Sequence, residues 1–265
     1  MSKLIFCDID GTIVDGSRGM LKVSEKTRYA FRELKRQGDY VVVSSGRCRA
    51  LLNEDILSLE PSGFVLCNGA YAEIEGKEVH SLYFSKEAKD AIRRASMKYD
   101  GFCILESFDD VYVDSLASKT FIRFINGWGA ALSGFKEETD QDENYLIAMI
   151  GFSDRETLWK AKEDLKDYVD CFEHKVTPSC DVNIKGVNKG TGVEKIIEVM
   201  NIPLEDTYCF GDGTNDIEML ECVGHPVMMA NSQQELYGRG FEETGDVLDD
   251  GFYEYLVSNQ LIKEM

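Results

Sequence analysis

The sequence predicts an α/β fold, in which a doubly wound, Rossmann-like parallel sheet forms the core and an α+β domain is inserted into it. Near both ends of the chain, short apolar runs alternate with amphipathic helical segments, which is typical of a parallel sheet with helices on both faces. From about Tyr71 this alternation is lost, and short strands and helices follow in irregular order. The flanking apolar runs end in acidic or small polar residues, at the sheet edge where such folds bind ligands.

The first part of the chain reads as strand, helix, strand, helix, strand. Leu4, Ile5 and Phe6 form an apolar run that Gly11 ends. Ser24 is suited to begin the first helix and Gly38 to end it. The predicted elements are a strand at 4–6, a helix at 24–37, a strand at 40–43, a helix from 49 to about 59 and a strand at 64–67.

From the hairpin onward, the predicted strands and helices no longer alternate regularly. We expect a hairpin at 73–84, helices at 85–99, 116–126 and 155–168, strands at 102–106, 111–113 and 145–152, and an exposed loop at 136–144. Trp128 could line a substrate mouth or anchor a loop. The predicted domains are a core of residues 1–83 and 186–265, which includes the hairpin up to residue 83, and an inserted α+β domain of residues 84–185.

Near Asp181 the doubly wound pattern is expected to resume. Its elements are a helix at 189–200, a strand at 208–210, a helix at 217–222 and a strand at 227–230.

Composition excludes several classes of partner. The 265 residues carry a formal charge of −19 and a pI near 4.6, which disfavours nucleic acid and anionic membranes. No apolar run approaches the ~18 residues of a membrane span, and the start of the chain is too short in apolar residues for a signal peptide. The eight cysteines are scattered without zinc-ligand spacing, so reduced thiols and a cytoplasmic location are expected. The sequence makes no prediction of oligomeric state.

Asp8 and Asp10 directly follow the first apolar strand. Side chains two residues apart on an extended backbone point to the same side, so two carboxylates share a small space. Two like unit charges 4 Å apart repel by about 4 kcal/mol at an effective dielectric constant of 20. A hard divalent cation would relieve this repulsion, whereas an isolated Asp-x-Asp is more often an acidic turn.

Polar groups follow an apolar strand or begin a helix in four distant segments, and doubly wound topology would bring them to one edge. The segments contain Asp8 and Asp10; Ser45 and Gly46; Lys189; and Asp212, Asn215 and Asp216.

This set of residues suits phosphoryl transfer. Asp8, Asp212 and the carbonyl of Asp10 are ligands that suit Mg²⁺. Ser45, the amide of Gly46, Lys189 and Asn215 could bind phosphate oxygens. Asp216 could orient Lys189 or a metal-bound water, although two acids in the first turn of a helix also stabilise its dipole.

Asp8 could attack phosphorus to form an aspartyl-phosphate, and Asp10 could act as general acid and base. Ser44 is an alternative to Ser45 as hydroxyl donor. Arg47 could contact substrate or pair with an acid.

The motifs resemble those of the haloacid dehalogenase superfamily. The matching residues are Asp8-x-Asp10-Gly11-Thr12, Ser45-Gly46-Arg47, Lys189 in Val187-Asn188-Lys189-Gly190, and Gly211-Asp212-x-x-Asn215-Asp216. Gly211 to Leu220, followed by Pro226, Val227 and Asn231, is similar to the Cof-type subfamily, whose members carry a large α+β cap. The resemblance implies that the inserted α+β domain of residues 84–185 is this cap domain. Ser45 and Ala230 stand where threonine and glycine are common in that family.

The resemblance implies a Mg²⁺-dependent phosphatase of small phosphorylated metabolites, such as sugar or cofactor phosphates. Asp8 is the implied nucleophile and Asp10 the acid/base, and Ile9 joins the implied phosphate-binding residues. A sugar phosphomutase with the same core chemistry and a non-catalytic phospholigand sensor are the alternatives.

Overall fold

The computed structural model describes residues 2–128, 131–138 and 144–265, and only the backbone of Trp128. In this part of the chain the strands are β1 (Leu4–Asp8), β2 (Tyr40–Ser44), β3 (Gly63–Leu66), β4 (Tyr71–Ile74), β5 (Lys77–Ser81), β6 (Phe102–Glu106), β7 (Val111–Val113), β8 (Lys136–Glu137), β9 (Ile147–Gly151), β10 (Val169–Glu173), β11 (Ser179–Ile184), β12 (Thr207–Gly211), β13 (His225–Met228) and β14 (Glu242–Glu243).

The α-helices of the described residues are α1 (Glu25–Gln37), α2 (Glu54–Leu57), α3 (Lys86–Lys98), α4 (Lys119–Trp128), α5 (Arg155–Leu165), α6 (Lys189–Met200), α7 (Ile217–Glu221) and α8 (Gly251–Ser258). Short 3-10 turns occur at Gly16–Arg18, Arg49–Leu51, Cys67–Gly69, Leu132–Gly134, Leu204–Asp206, Thr214–Asp216, Gln234–Leu236 and Val247–Asp249. None of these helices combines the length and apolar character that crossing a bilayer requires.

The chain divides into two compact units. The first contains Met1–Arg47, Leu52–Ser81 and Asn188–Met265, and the second contains Cys48–Leu51 and Leu82–Val187. The predicted boundaries at 83/84 and 185/186 differ by two residues from the observed divisions at 81/82 and 187/188. The prediction placed Cys48–Leu51 in the core, whereas the structure assigns this segment to the second unit. The cap function of the second unit stays a prediction.

The first unit is built on an eight-stranded sheet in the order β14-β13-β12-β1-β2-β3-β4-β5. The strands from β14 to β3 are parallel, whereas β4 and β5 are antiparallel. Ser24 begins α1 by accepting a hydrogen bond from the amide of Thr27, and Gly38 ends it with φ +86°, as predicted. The expected doubly wound core is confirmed, but its sheet is mixed because the predicted hairpin is its edge.

Helices cover both faces of this sheet. Val193 and Ile196 of α6 and Met219 of α7 pack with Leu4 and Phe6 of β1 on one face. On the other face an aromatic cluster joins α1, α8 and β12. The ring centroid of Phe252 lies 5.8 Å from that of Phe31 and 4.8 Å from that of Phe210. The central strands are buried on both faces, which explains their continuous apolar runs.

The second unit contains a six-stranded sheet in the order β10-β11-β9-β6-β7-β8. Apolar residues of α3 and α5 pack on one face, and the ring of Phe121 in α4 lies 5.7 Å from Phe102 of β6. Glu106, the last residue of β6, is buried, and its Oε2 has no hydrogen-bond partner among the described residues. Burial, aided by the charge of Asp181, raises the pKa of Glu106 to about 7.

The structure corrects several predicted elements. The expected return to the core near Asp181 is wrong, because β11 pairs with β9 and β10 in the sheet of the second unit. The predicted helix from 49 to about 59 is a 3-10 turn and the short α2, separated where the Asn53 side chain caps a new helix. The strand predicted at 227–230 is β13, which ends earlier, at Met228.

Two predictions concern residues that are only partly described. The exposed loop predicted at 136–144 begins with β8, and residues 139–143 lie outside the described part. The side chain of Trp128 also lies outside it.

Candidate active site

Three neighbouring parallel strands bring polar residues to one edge of the first sheet. β1 lies between β12 and β2 and runs parallel to both. Asp8 is the last residue of β1, while Ser45 and Asp212 directly follow β2 and β12. Because the carboxyl ends of parallel strands meet at the same edge, these three residues are neighbours there.

Lys189 reaches this edge from the first position of α6. The Asn188 side chain caps the helix by accepting from the amide of Thr191, whose hydroxyl accepts from the amide of Asn188. The Nζ of Lys189 donates hydrogen bonds of 2.6 Å to Asp8 Oδ1 and to Asp216 Oδ1. Lys189 is 1% exposed, so it is a buried cation between two carboxylates.

Asp216 joins Lys189 to the loop after β12. Its Oδ1 accepts from Lys189, and its Oδ2 accepts from the amides of Asp212 and Gly213, each at 2.9 Å. The side chain is completely buried. These contacts are the ones that an orienting role for Asp216 requires, and the role itself stays a prediction.

The loop after β1 accommodates the Asp212 carboxylate because residue 11 is a glycine. Gly11 has φ +92°, and a Cβ added there would lie 2.3 Å from Asp212 Oδ2. The carbonyl of Gly11 accepts a 2.7 Å hydrogen bond from Asn231 Nδ2, and Asn231 Oδ1 accepts from the amide of Val247. Asn231 therefore ties the Asp8–Gly11 segment to the carboxyl-terminal part of the unit.

The carboxylates of Asp8, Asp212 and Asp216 form a cluster in which one oxygen of each lies within 4.8 Å of the others. Burial is the largest cause that raises the pKa of Asp8 to about 7, against the lowering effect of Lys189. Burial, followed by the charges of Asp8 and Asp216, raises the pKa of Asp212 to about 8. Burial alone would lower the pKa of Lys189, but the two carboxylates outweigh it and keep that pKa above its ordinary value.

One lysine does not neutralise three carboxylates, so the cluster suits an additional cation. Carboxylate oxygens are preferred ligands of hard divalent ions, and such a charge would lower the pKa values of Asp8 and Asp212, which burial and the neighbouring carboxylates raise. Among the described residues, the clustered side chains that could hold a metal ion are thus Asp8, Asp212 and Asp216. The sequence had named the first two as ligands together with the carbonyl of Asp10.

Arg47 is paired with Asp10. Its Nη2 donates hydrogen bonds of 2.8 and 2.9 Å to the two carboxylate oxygens. Of the two alternatives for Arg47, pairing with an acid is the one observed. The side chain of Asp10 is 55% exposed, so both water and a substrate can reach its carboxylate.

The loop after β2 is held by the loop after β3. The carbonyl of Ser45 accepts from the amide of Asn68 at 3.2 Å, and the carbonyl of Arg47 accepts from the amide of Cys67 at 3.1 Å. Ser45 is buried, and its hydroxyl accepts from the amide of Arg47. Ser44, the alternative donor, has a buried hydroxyl without a partner in the part of the chain that the structure describes.

The remaining predicted residues also lie in the first unit. Gly46 packs against Asn68, since an added Cβ would lie 3.0 Å from Asn68 Oδ1. Asn215 is exposed, and its Nδ2 donates to Asn68 Oδ1 at 3.4 Å. The carbonyl of Ile9 accepts from the amides of Ile13 and Val14, each at 3.0 Å, which fixes the peptide group between Ile9 and Asp10.

Sequence reasoning missed the contacts of Asn68 and Asn231. No role was assigned to Asn68 from the sequence, and Asn231 was named only as part of the family resemblance. The available signal was position, because Asn68 is the second residue after β3 and Ser45 is the first residue after the neighbouring β2. Their partners are distant in sequence and could not be deduced from the pattern.

Comparison with known proteins agrees with the geometry of the site. The family model of haloacid dehalogenase-like hydrolases matches residues 5–256. The chain is 31% identical over 256 residues to "Putative phosphatase YkrA" of Bacillus subtilis (strain 168), covering 94% of this chain and 95% of that protein. It is 26% identical over 255 residues to 5-amino-6-(5-phospho-D-ribitylamino)uracil phosphatase YcsE of the same organism, with coverages of 94% and 90%.

Solved structures share the fold. BT1666 of Bacteroides thetaiotaomicron, analysed among phosphatases of the haloalkanoate (HAD) enzyme superfamily, gives a TM-score of 0.84 at 22% identity, covering 99% of this chain and 96% of that one. The HAD subclass IIB sugar phosphatase BT4131 gives a TM-score of 0.82 at 21% identity, covering 98% of this chain and 100% of that one. The predicted resemblance is confirmed: the chain belongs to the haloacid dehalogenase-like hydrolase family and is an enzyme of its phosphatase class.

Proposed function

We propose that this enzyme is a Mg²⁺-dependent phosphatase that hydrolyses small phosphate monoesters through an aspartyl-phosphate on Asp8. The observation that supports this most is the buried chain of Asp8, Lys189 and Asp216, with both hydrogen bonds at 2.6 Å. Lys189 engages Asp8 Oδ1, which orients the carboxylate and leaves Oδ2 as the attacking oxygen. A buried cation beside the nucleophile also counters the charge of an approaching phosphate.

The first step transfers the phosphoryl group to Asp8. Oδ2 forms a bond to phosphorus, the bond from phosphorus to the leaving oxygen breaks, and Asp10 gives that oxygen a proton. In the second step Asp10 takes a proton from water, and the water oxygen attacks phosphorus. Inorganic phosphate leaves and the Asp8 carboxylate is regenerated.

The phosphate-binding groups in this proposal are the hydroxyl of Ser45, the amides of Ile9 and Gly46, Lys189 and Asn215. Bound by Asp8, Asp212 and the Asp10 carbonyl, Mg²⁺ would neutralise charge on the transferring group. Asp216 keeps Lys189 in place.

Arg47 has a place in the same scheme. A phosphate oxygen would compete with Asp10 for the guanidinium of Arg47, and Asp10 would then be free to move its proton. This keeps Arg47 as a substrate contact as well as a partner of Asp10.

The substrate class in this proposal follows the relatives. One is named for a ribityl phosphate ester and another for sugar phosphates, so we propose sugar and cofactor phosphates for this chain. We assign selection of the leaving group to the unit that contains Leu82–Val187. A cytoplasmic location is also proposed, because six of the eight cysteines are buried as free thiols.

Phosphate release from a panel of phosphorylated metabolites, with Mg²⁺ present, tests this function. We expect release by the wild type, none by Asp8→Asn, and unchanged release by Asp39→Asn. Asp39 is a matched control, because it is a buried aspartate of the same unit that precedes β2 and accepts from the amide of Lys3. Appreciable release by Asp8→Asn would contradict the covalent route. Transfer between sugar positions without net phosphate release would instead show a mutase, and no reaction with any ester would show a sensor.

A further inference from the structure

We propose that Asn68 is a positioning residue of the phosphate site, which sets the orientation of the Asn215 amide through a side-chain hydrogen bond. The inference rests on the proposed function, since it takes Asn215 as a donor to the substrate phosphate. The simpler interpretation is that Asn68 only makes a tight turn after β3.

The backbone around Asn68 is held in an unusual conformation. Cys67, Asn68 and Gly69 have φ values of +54°, +50° and +90°, so three consecutive residues lie in the left-handed region. Residues with a side chain rarely adopt a left-handed backbone, and such a strained conformation persists where surrounding contacts impose it. The amides of Cys67 and Asn68 donate to Arg47 and Ser45, and a Cβ on Gly69 would lie 1.9 Å from the carbonyl oxygen of Asn188.

This conformation places one buried amide between two phosphate-binding segments. Asn68 is 4% exposed. Its Oδ1 lies against the backbone of Gly46 and accepts the hydrogen bond from Asn215 Nδ2. The loop after β3 therefore contacts both the Ser45–Gly46 loop and the segment that follows β12.

The direction of the Asn215 amide matters for binding an anion. An N–H attracts a phosphate oxygen, whereas a carbonyl oxygen repels it. Asn215 Oδ1 lies on the side of Gly213, where an added Cβ would be 2.6 Å away, and Nδ2 lies on the side of Asn68. Asn68 occupies one N–H of Nδ2 and leaves the second for the substrate. Because Asn215 is exposed, its amide would lose this preference without Asn68.

A double-mutant cycle separates this role from that of a turn residue. Asn68→Gly removes the amide and tolerates the left-handed backbone. Asn215→Ala removes the group on which Asn68 acts, and the two changes are then combined. The probe is inorganic phosphate, measured as a competitive inhibitor of p-nitrophenyl phosphate hydrolysis. Asn201→Gly is the matched control, because Asn201 is exposed, has φ +49° and ends α6.

We expect Asn68→Gly to raise the Ki of inorganic phosphate and the KM together by about tenfold, the effect of losing one hydrogen bond to a charged group, while kcat changes less. In the Asn215→Ala background the same change should alter the Ki by less than about twofold. Asn201→Gly should not change the Ki.

Two results would overturn the inference. One is a Ki for Asn68→Gly equal to that of Asn201→Gly. The other is an increase in Ki on Asn68→Gly that is equal in the wild type and in the Asn215→Ala variant. Failure of the proposed function is distinguishable. In that case the wild type itself would neither hydrolyse the ester nor bind phosphate.

Discussion

Replacing Lys189 with methionine should strongly destabilise the folded enzyme. The change keeps most of the length of the side chain but removes a buried cation that makes 2.6 Å contacts with Asp8 and Asp216. Breaking a buried ion pair by removing one partner costs about 3–5 kcal/mol. We therefore expect the free energy of unfolding to fall by about 3–5 kcal/mol at alkaline pH, where the carboxylates are charged.

The loss should shrink as the pH falls. The pKa values of Asp8 and Asp212 in the folded protein are about 7 and 8, above the ordinary value of 3.8. A carboxyl group with a raised folded-state pKa stabilises the fold while it is protonated, and this contribution is lost as the pH rises through the raised value. Without Lys189 these pKa values rise further, so acid should restore much of the lost stability.

Urea denaturation in the presence of a chelator, repeated at several pH values, measures both effects. Lys195→Met is the control, because Lys195 lies on the same helix but is exposed and pairs with Glu198. This control should leave stability almost unchanged. A loss for Lys189→Met below about 1 kcal/mol, or one that is equal at all pH values, would refute the electrostatic account.

Three further predictions concern other parts of the chain. Gly11→Ala should reduce kcat/KM by more than about 100-fold, because the added Cβ would collide with the Asp212 carboxylate. Gly19→Ala is the control and should leave kcat/KM unchanged, because Gly19 has a similar φ of +89° but an added Cβ would have no atom within 4 Å. The pKa of Glu106 rises from 4.5 to about 7 on folding, so the wild type should lose about 3 kcal/mol of stability as the pH rises from 4.5 to 7, and Glu106→Gln should not. Urea denaturation of both proteins across this range measures the difference, and parallel pH profiles would contradict the prediction. Because the net charge is −19, added monovalent salt should not reduce kcat/KM for an anionic ester, and a steep decrease would count against this view of the surface.

The sequence was most informative where local pattern and strand order determine position. Asp8 and Asp212 follow apolar runs, and parallel topology places such positions at one edge whatever the chain between them does. Lys189 was identifiable because a helix start is a local feature, and the cap formed by Asn188 and Thr191 lies within that segment.

The strand partners and side-chain contacts that the sequence did not predict depend on long-range pairing. β11 alternates buried Cys180 and Val182 with less apolar residues, a pattern that does not reveal whether its partners are β9 and β10 or core strands. The pairing of Arg47 with Asp10 and of Asn68 with Asn215 joins residues 37 and 147 positions apart. Side-chain partners at such distances follow from the folded backbone.

Chemical trapping during turnover tests the central claim most directly. Wild-type enzyme is quenched with acid in the presence of substrate and Mg²⁺, then treated with borohydride, which reduces an acyl phosphate on aspartate to homoserine. Peptide mass spectrometry should find homoserine at position 8, dependent on substrate and absent from Asp8→Asn. Turnover without this product at position 8, or with the product at another carboxylate, would contradict the account.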